Sequence, residues 1–420
     1  MKTKSQFPRL VPMLLGILCG GLAALNAPAA TFTDDNWISM GGIPGANGEV
    51  YAAVTDADGN LYIGGAFTVV GDVAANRVAK WDGTNWTSLG TGMNDPVYAL
   101  AVSGGDLYAG GVFVNAGGVP ARYVAKWNGT NWSGLNSQMD YAVSALAVYN
   151  GELYAGGYFE NAGGHPASYI ARWNGDTWNA VGAGTDGFVG VLAVAGGNLY
   201  AGGEFTSAGG SPAKYLAKWN GSSWSQVGSG LDDLPVGYGF VAALAASGGD
   251  LYVGGAFATT GGNPATNIAK WNGSDWSAVG NGTGFHDELD ENPGVLALAV
   301  SGSQVVAGGR FTSVDGVSAN GVARWDGSSW SALGSGFGWG FYRNIYAVAM
   351  AGTNVFVAGD FTTADGIAAR YIARWNESGW SAPGFTPKLG EFRPAGFRRL
   401  GSDLYALGAI TTATGISKEQ

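Results

Sequence analysis

The 420-residue chain contains little of what metal-dependent or nucleophilic enzymes need, since it has one cysteine, Cys19, and two histidines. Cys19 lies in an N-terminal apolar segment that we expect to be removed on export, so the mature chain would have no cysteine and no disulfide. Its stability would then come from side-chain packing and strand pairing. The sequence therefore favours a non-catalytic protein and predicts neither a metal site nor a cofactor.

Positive charge is also scarce. The formal net charge is −10, and the chain without its first 29 residues would carry 18 lysines and arginines against 31 aspartates and glutamates. Proteins that bind nucleic acids or anionic membranes neutralise phosphates with clustered basic side chains. We therefore expect neither nucleic acid nor an anionic membrane surface among the partners.

The first 29 residues have the composition of a secretory signal peptide. Lys2, Lys4 and Arg9 precede an apolar run over residues 11–25, and small residues at 27–29 offer a cleavage site. An uncleaved membrane anchor is the alternative, but the run is shorter than the roughly 20 residues that span a bilayer. We expect residues 1–29 to be a signal peptide and residues 30–420 a single domain without a membrane span. The mature protein would be a secreted, periplasmic or cell-surface monomer.

Glycine and aromatic residues are abundant instead. The chain has 74 glycines, 16 tryptophans, 18 tyrosines and 18 phenylalanines, and long amphipathic helical patterns are hard to find. This composition is typical of an all-β protein with many tight turns.

One motif repeats along the chain. Residues 107–135, LYAGGVFVNAGGVPARYVAKWNGTNWSGL, return in similar form at 153–181 and 199–227. In seven copies a phenylalanine comes two residues after the Gly-Gly pair, which is Ala-Gly in the seventh copy; a tryptophan comes 14 residues later, and a second tryptophan comes 5 residues after the first. These landmark phenylalanines are Phe67, Phe113, Phe159, Phe205, Phe257, Phe311 and Phe361. An eighth, degenerate copy near the end of the chain has Ile410 at this position.

Each copy predicts four short strands. VYALAV, LYAGGVF, RYVAKW and NWSGL are β-type runs separated by glycine-rich turns. The Asn-Gly between the last two runs favours a type I′ hairpin, in which both central residues have positive φ. Four strands in each repeat of about 45 residues are typical of a β-propeller blade.

The two ends of the chain are complementary. Residues 30–42 align with the last two strands of a repeat, so that Phe32 and Trp37 occupy the positions of Trp81 and Trp86. Residues 404–415 belong to the first two strands of a repeat. We therefore predict an all-β, eight-bladed β-propeller of four-stranded blades. Seven repeats would be whole, and one shared blade would close the ring by pairing the N- and C-terminal strands.

The repeat resembles those of known propellers. The Gly-Gly pair after the second strand, followed by aromatics on strands three and four, resembles kelch and galactose-oxidase-type propellers. The form Gly-Gly-x-Phe-Thr…Ala-x-Trp-Asp-Gly-x-x-Trp looks still more like fungal cortical polarity-marker proteins and related bacterial secreted propellers. The resemblance covers essentially all of the mature chain, although the Trp-x4-Trp spacing departs from the Tyr-x6-Trp of kelch. It implies a binding or interaction scaffold and transfers no catalytic residue to this sequence.

The tryptophan pair is interpreted as scaffold. KWNGTNW, at residues 126–132, recurs in seven copies at nearly fixed register, whereas a ligand site would need only one of them. We expect each pair to pack on the two outer strands of its blade and to cover apolar surface between neighbours. The formal glycosylation sequons at Asn128 and Asn131 then follow from turn residues that stand beside Ser or Thr.

Departures from the repeat mark the candidate ligand face. The distance from the second tryptophan to the next landmark phenylalanine is 27 residues in three connections, but 33, 35 and 31 after the fourth, fifth and sixth repeats. In a propeller such connections share one face with the loops between strands two and three, and insertions on one face often mark a binding surface. Acidic and aromatic side chains in the three long connections suit a carbohydrate, a cationic group or a peptide. The candidate residues are Asp232, Asp233, His286, Asp287, Glu288, Asp290, Glu291, Trp339, Phe341, Tyr342 and Arg343, with Tyr238 and Phe240 beside them.

Other candidate sites have simpler interpretations. The stretch Asp56-Ala57-Asp58-Gly59-Asn60 resembles the start of a calcium loop, but it lacks the downstream glutamate and predicts an Asp-Gly hairpin. His165 lies in a repeat turn and is expected at the surface. Arg393, Arg398 and Arg399 stand out in an acidic chain, at the start of the closing blade.

The sequence thus favours a secreted, non-catalytic scaffold that binds a protein or a carbohydrate through long loops on one face. Two alternatives stay open. One is a glycan-active hydrolase or lyase that uses loop carboxylates, and the other is a purely structural surface protein.

Overall fold

The structure is a computed structural model. It describes residues 43–46, 50–58, 60–71, 73–82, 85–135, 139–234, 239–259, 265–287, 294–339, 344–351, 354–359, 361–369, 372–381, 391–400 and 403–411. All secondary-structure elements in these ranges are strands. Within the same ranges, no helix has the length and apolar character needed to cross a membrane.

Seven units of four antiparallel strands follow one another in the described chain, and the strands of each unit lie in sequence order across its sheet. The first strands are Val50–Thr55, Val97–Ser103, Val143–Tyr149, Phe188–Ala195, Phe240–Ser247, Gly294–Ser301 and Ile345–Ala351. The second strands are Leu61–Gly65, Asp106–Gly111, Glu152–Gly157, Asn198–Glu204, Asp250–Thr259, Gln304–Arg310 and Asn354–Gly359. The third strands are Val78–Trp81, Val124–Trp127, Ile170–Trp173, Leu216–Trp219, Thr266–Trp271, Val322–Trp325 and Ile372–Trp375. The fourth strands are Trp86–Ser88, Trp132–Gly134, Trp178–Ala180, Trp224–Gln226, Trp276–Ala278, Trp330–Ala332 and Trp380–Ser381.

Neighbouring units meet through their first strands, because the first strand of each unit contacts the first strand of the next throughout the series. Repeated four-stranded antiparallel sheets in contact through consecutive first strands are the architecture of a β-propeller. The first strand of each unit is therefore its inner strand. The prediction of an all-β chain with four-stranded units is confirmed.

A further sheet contains strands from both ends of the described chain. Its members are Glu391–Leu400, Asp403–Thr411, Ile43–Ala46, Val69–Gly71 and Val73–Ala74. Ala46 pairs in parallel with Ala409. The strand Glu391–Leu400 contacts the inner strands of unit 1 and unit 7. Phe32 and Trp37, the predicted N-terminal partners, lie outside the described residues.

The Gly-Gly pair in the second strands of units 1 to 6 allows two close approaches, which are described here for unit 2. A Cβ on Gly110 would lie 2.5 Å from Cγ1 of Val143, at the start of the inner strand of unit 3. A Cβ on Gly111 would lie 2.2 Å from the carbonyl oxygen of Pro96, beside a bulge in the inner strand of unit 2. The first glycine therefore lets neighbouring units pack, and the second accommodates the bulge.

The landmark phenylalanines lie in cores shared between neighbouring units. All seven are at most 2% exposed. Phe113 packs in a cluster that contains Val78 and Leu89 of unit 1 as well as Trp132 of unit 2. The hydrophobic core is thus a series of clusters rather than one central mass.

The second tryptophan of a unit also binds the preceding unit through its indole N–H. In unit 2 the rings of Trp127 and Trp132 lie 5.4 Å apart, and Nε1 of the buried Trp132 donates to the carbonyl oxygen of Leu89 in unit 1 at 2.7 Å. The same bond, at 2.6–2.8 Å, is made by Trp224, Trp276, Trp330 and Trp380. The interpretation of the tryptophan pair as scaffold is confirmed.

The Asn-Gly hairpin forms, but the type I′ prediction is wrong. The two tryptophans of unit 2 are Cα partners, which leaves a loop of four residues. Gly129 has a φ of 93°, whereas Asn128 does not adopt a positive φ. Oδ1 of Asn128 instead accepts backbone N–H bonds from Thr130 at 3.0 Å and Asn131 at 2.8 Å, which closes an Asx turn. Equivalent side-chain contacts are made by Asp82, Asn174, Asn220, Asn272, Asp326 and Asn376.

Short hairpins follow the second strands of several units. Their strands are Asn115–Ala116 with Val119–Pro120, Asn161–Ala162 with His165–Pro166, Ser207–Ala208 with Ser211–Pro212, Ser313–Val314 with Val317–Ser318, and Phe361–Ala364 with Ile367–Ala368. The connection that arrives from the preceding unit pairs with such a hairpin, as Met139 does with Ala162. The prediction that these two kinds of segment share one face is confirmed, and we call it the connection face.

Candidate functional site

The first long connection, between units 4 and 5, is held to unit 4 by polar contacts. Its strand Leu231–Asp232 pairs with the extended second strand of unit 5. Asp232 and Asp233 both bind Nζ of Lys214, and Oδ2 of Asp233 lies 3.1 Å from it. Asp233 also accepts a hydrogen bond from the hydroxyl of Tyr215. The two candidate carboxylates therefore share the single positive charge of Lys214.

The pKa shifts in this group follow from the same contacts. The hydrogen bonds that Lys214 donates to Asp232 and Asp233 raise the pKa of Lys214. The bond from Lys214 also lowers the pKa of Asp232. Hydrogen bonds from Tyr215 and Lys214 lower the pKa of Asp233. Burial, followed by the bond to Asp233, raises the pKa of Tyr215 to about 12. The ion pair and the neutral phenol therefore coexist over the whole neutral range.

The other two long connections are described in part. Phe285 is buried, His286 is exposed and Asp287 is half-buried, and the carbonyl oxygen of His286 accepts the Thr312 N–H at 2.7 Å. The strand Phe337–Trp339 pairs with the hairpin of unit 7. Outside the described residues lie Tyr238, Glu288, Asp290, Glu291, Phe341, Tyr342 and Arg343, together with the side chain of Trp339. The joint site of the three connections stays a prediction.

Four aromatic side chains form a row across the connection face from unit 2 to unit 4. Ring centroids are 6.3 Å apart for Tyr123 and Tyr141, 6.4 Å for Tyr141 and Tyr158, and 4.0 Å for Tyr158 and Phe188. Tyr141 is 59% exposed, and the other three are half-buried. We call these four residues the aromatic row. A large aromatic ring that is this exposed and has aromatic neighbours is characteristic of binding surfaces.

Hydrogen bonds fix the main chain at two residues of the row, Tyr123 and Tyr158. Tyr123 has a φ of 69°, and its N–H donates to the carbonyl oxygen of the landmark phenylalanine of unit 2 at 2.7 Å. Tyr169 and Tyr215, at the equivalent positions of units 3 and 4, have φ values of 63° and 64°. The Tyr158 N–H donates to the carbonyl oxygen of Ala142 at 3.0 Å. A tyrosine at positive φ is uncommon, so this backbone conformation depends on the surrounding strands.

Sequence reasoning missed the aromatic row because it searched for insertions. Tyr141 and Phe188 lie in connections of the ordinary 27-residue length, and Tyr158 lies inside the repeat. A comparison of equivalent positions would have found Tyr158. The residues just before the seven landmark phenylalanines are Ala66, Val112, Tyr158, Glu204, Ala256, Arg310 and Asp360.

Two carboxylates beside the aromatic row, those of Asp140 and Asp186, accept backbone N–H groups of the neighbouring hairpins. Oδ1 of Asp140 accepts the N–H groups of Glu160 at 2.9 Å and Asn161 at 3.0 Å, and Oδ2 accepts the Asn161 side-chain amide at 2.7 Å. Partial burial alone would raise the pKa of Asp140, but these hydrogen bonds lower it overall. Asp186 caps the hairpin of unit 4 in the same way, and its pKa is lowered as well. Both carboxylates position the hairpins below the aromatic row.

The Asp56 stretch forms a hairpin end, as predicted. Oδ1 of Asp56 accepts the N–H groups of Asp58 at 3.1 Å and Asn60 at 2.8 Å, and Oδ2 accepts the hydroxyl of Tyr62 at 3.2 Å. Burial and the neighbouring Asp56 raise the pKa of Tyr62 to about 12. In the ranges that the structure describes, no group of three histidine, cysteine or acidic side chains is placed to hold a metal ion.

Four basic candidate residues lie outside the three long connections. His165 is exposed on the hairpin of unit 3, in agreement with the prediction. Arg393, Arg398 and Arg399 lie in the strand Glu391–Leu400, and their side chains are outside the described part of the structure.

No protein-family model matches the chain, and neither does any curated protein. Among solved structures, the chain is similar to the computationally designed Ika8 protein, with 16% identity, a TM-score of 0.51, and coverage of 89% of this chain and 99% of that one. It is also similar to the WD40 β-propeller domain of Doa1, with 13% identity, a TM-score of 0.43, and coverage of 76% of this chain and 92% of that one. At these identities a likeness concerns the fold alone. It does not distinguish kelch or polarity-marker propellers from others.

Proposed function

We propose that the chain is a secreted, non-catalytic β-propeller that binds a protein or carbohydrate partner through its connection face. The observation that carries the proposal is the aromatic row, in which Tyr141 is 59% exposed and contacts Tyr123 and Tyr158. Aromatic side chains are enriched where proteins bind their partners, because each ring offers a large contact area at a low entropic cost.

Closure into eight blades belongs to the same proposal. Seven whole repeats and complementary chain ends support it from the sequence. The contacts of Glu391–Leu400 with the inner strands of units 1 and 7, and the pairing of Ala46 with Ala409, support it further. The eighth blade would be shared by the two ends of the chain.

Secretion is supported by the sequence of residues 1–29, with its basic start, apolar run and small residues before the expected cleavage site. The mature protein would act as a monomer at the cell surface, in a periplasm or outside the cell. Binding without catalysis is preferred to the glycan hydrolase or lyase alternative. Two of the loop acids that such an enzyme could use, Asp232 and Asp233, are bound to Lys214.

The proposal is tested with the mature chain in a glycan array and in pull-down experiments. Replacement of Tyr141 and Tyr158 by alanine should abolish capture of the ligands that the wild type binds. Ile367→Ala is the matched control, because Ile367 is 48% exposed on the hairpin of unit 7, away from the row. A second variant, Trp339→Ala with Asp287→Asn and Glu288→Gln, tests the long connections. If the wild type binds nothing, or if both variants keep all binding, the purely structural alternative is preferred.

A further inference from the structure

Resting on the proposed function, we propose that the ligand is a neutral carbohydrate chain and that it stacks on the aromatic row with Tyr141 as its main contact. A pyranose ring has an apolar C–H face and a rim of hydroxyl groups. A tyrosine likewise has an apolar ring and a polar tip. Tyr141 is the exposed ring of this kind, with Tyr123 and Tyr158 beside it, and Tyr158 in turn stacks on Phe188.

The row is organised before a ligand arrives. Tyr158 and Phe188 are stacked at 4.0 Å with an interplanar angle of 14°, and Tyr141 meets Tyr158 edge-on at 84°. The hydrogen bonds of the Tyr123 and Tyr158 backbones described above fix the positions from which two of the rings project. A sugar chain gains little energy from each contact, so rings that need no reordering favour its binding.

The backbone beneath the row does not favour an extended peptide. Strand addition requires unpaired N–H and C=O groups at a sheet edge. Here the backbone N–H groups of Asn94, Asp140 and Asp186 donate to the hairpins of units 2, 3 and 4. Those of Val112 and Tyr158 donate to the connections. A ligand must therefore be held by side chains, which is the usual situation for carbohydrates.

The charges around the row disfavour a polyanionic chain. Asp140 and Asp186 keep their negative charges while they accept backbone hydrogen bonds, and Asp232 and Asp233 share the single positive charge of Lys214. Because most carboxylate oxygens of these acids already accept hydrogen bonds, few are left for direct contacts with a cationic ligand. Among the residues adjacent in sequence to the four rings, Arg122 is the basic one. One exposed cation is too little for a polyanionic chain, which is held by many basic contacts.

The test uses the mature chain with soluble cello-, manno- and xylo-oligosaccharides as probes, in titration calorimetry and ligand-observed NMR. We expect binding of at least one neutral series, a loss of at least tenfold in affinity for Tyr141→Ala, and a change within about twofold for Tyr141→Phe, which keeps the ring. Ile367→Ala is the control and should bind like the wild type. Since Tyr141 is 59% exposed, thermal unfolding of the alanine variant should match the wild type.

Parallel arms use polygalacturonate as an anionic chain, chitosan oligomers as a cationic chain, and a displayed peptide library. Binding of these probes through Tyr141, without binding of the neutral series, overturns the inference but leaves the proposed function standing. Neutral binding that survives Tyr141→Ala and Tyr158→Ala overturns the inference as well. If no probe in any arm binds in a way that either set of variants weakens, both the inference and the proposed function are overturned.

Discussion

At the scale of single residues, two contacts join neighbouring units, and both are repeated along the chain. The indole of Trp132 reaches the carbonyl oxygen of Leu89 in the preceding unit. The missing side chain of Gly110 leaves room for Val143 of the following unit. Each contact explains why its residue type recurs at a fixed spacing, and each can be tested against a position that lacks it.

Trp132→Phe should destabilise the protein more than Trp178→Phe. Both changes shrink a buried ring, but Nε1 of Trp178 has no hydrogen-bond acceptor among the described residues, whereas Nε1 of Trp132 donates at 2.7 Å. The extra loss should be about 1 kcal/mol, the net value of one such bond. Urea unfolding followed by tryptophan fluorescence measures it. Equal losses in the two variants would contradict a stabilising role for the bond.

Gly110→Ala should lower the free energy of unfolding by about 1–3 kcal/mol, as overpacked core substitutions do. Its new Cβ would lie 2.5 Å from Cγ1 of Val143. Gly249→Ala is the control, because a Cβ at that turn position has nothing within 4 Å and the residue does not require a positive φ. The thermal unfolding midpoint of Gly110→Ala should be clearly lower than that of Gly249→Ala. A loss in Gly249→Ala as large as in Gly110→Ala would point to a general cost of alanine in strands and turns.

The Asx turn of unit 6 should make stability depend on pH in acid. Backbone N–H bonds from Ser329 and Ser328 lower the pKa of Asp326 to about 2. Since the folded pKa lies below the unfolded value of about 3.9, this stabilisation is present above pH 4 and is lost as the pH falls towards 2. The stability difference between the wild type and Asp326→Asn should therefore shrink over that interval in urea titrations. A difference that stays constant from pH 5 to pH 2 would refute the assignment.

At the scale of elements, connections and hairpins are joined in two different ways. In units 3 and 4, an aspartate of the connection, Asp140 or Asp186, caps the hairpin. In units 6 and 7 the direction is reversed, because Asp315 and Asp365 of the hairpins accept N–H groups from the connections. Among the described residues of unit 5 neither cap is found, and the connection that arrives there is held by Lys214. The connections and hairpins therefore share one backbone arrangement, but three different kinds of side-chain contact hold them together.

Lys214→Met should loosen the connection between units 4 and 5 without unfolding the domain. The lysine binds Asp232 and Asp233 in a partly exposed ion pair, so the loss of global stability should stay below about 1 kcal/mol. Hydrogen exchange of the amides of residues 231–234 should become faster, while exchange in the inner strand Phe240–Ser247 should not change. Lys218→Met is the control, as the same residue type on the third strand of unit 4. If hydrogen exchange at residues 231–234 does not change, Lys214 does not hold this connection in place.

The elements that the sequence predicted are those with a strong repeated signal. Phe113 and Trp132 mark a fixed register, and the four strands around them follow from it. The strands Asn115–Ala116 and Val119–Pro120 were not predicted, because two-residue strands have no hydrophobic period to detect. The turn at Asn128 was assigned to the wrong type, since its side chain rather than a second positive φ closes the loop. Tyr141 was missed because its exposure depends on how separate connections assemble on one face.

At the scale of the whole molecule, the ends of the described chain meet in one sheet, and this pairing is open to a direct test. Ala46→Cys with Ala409→Cys places two thiols at parallel Cα partners, in a protein expressed from residue 30 onward, which has no other cysteine. A disulfide should form in the folded protein and raise its unfolding midpoint, since Cα atoms of paired strands lie about 4.8 Å apart, within disulfide range. Non-reducing gel mobility and mass measure it. The control pair, Ala46→Cys with Ser247→Cys of unit 5, should stay reduced, and an equal result for the two pairs would exclude the pairing.

The indole bonds between units have a consequence for how such a chain can change over evolutionary time. Five of the second tryptophans donate to a main-chain carbonyl group of the preceding unit, such as that of Leu89, Val181 or Val227, and every residue type carries a carbonyl. This hydrogen bond therefore requires no particular side chain at its acceptor in the preceding unit. A gene segment that encodes one unit could be duplicated, lost or exchanged while its new neighbours still fit. The connection face would remain free to diverge in each copy.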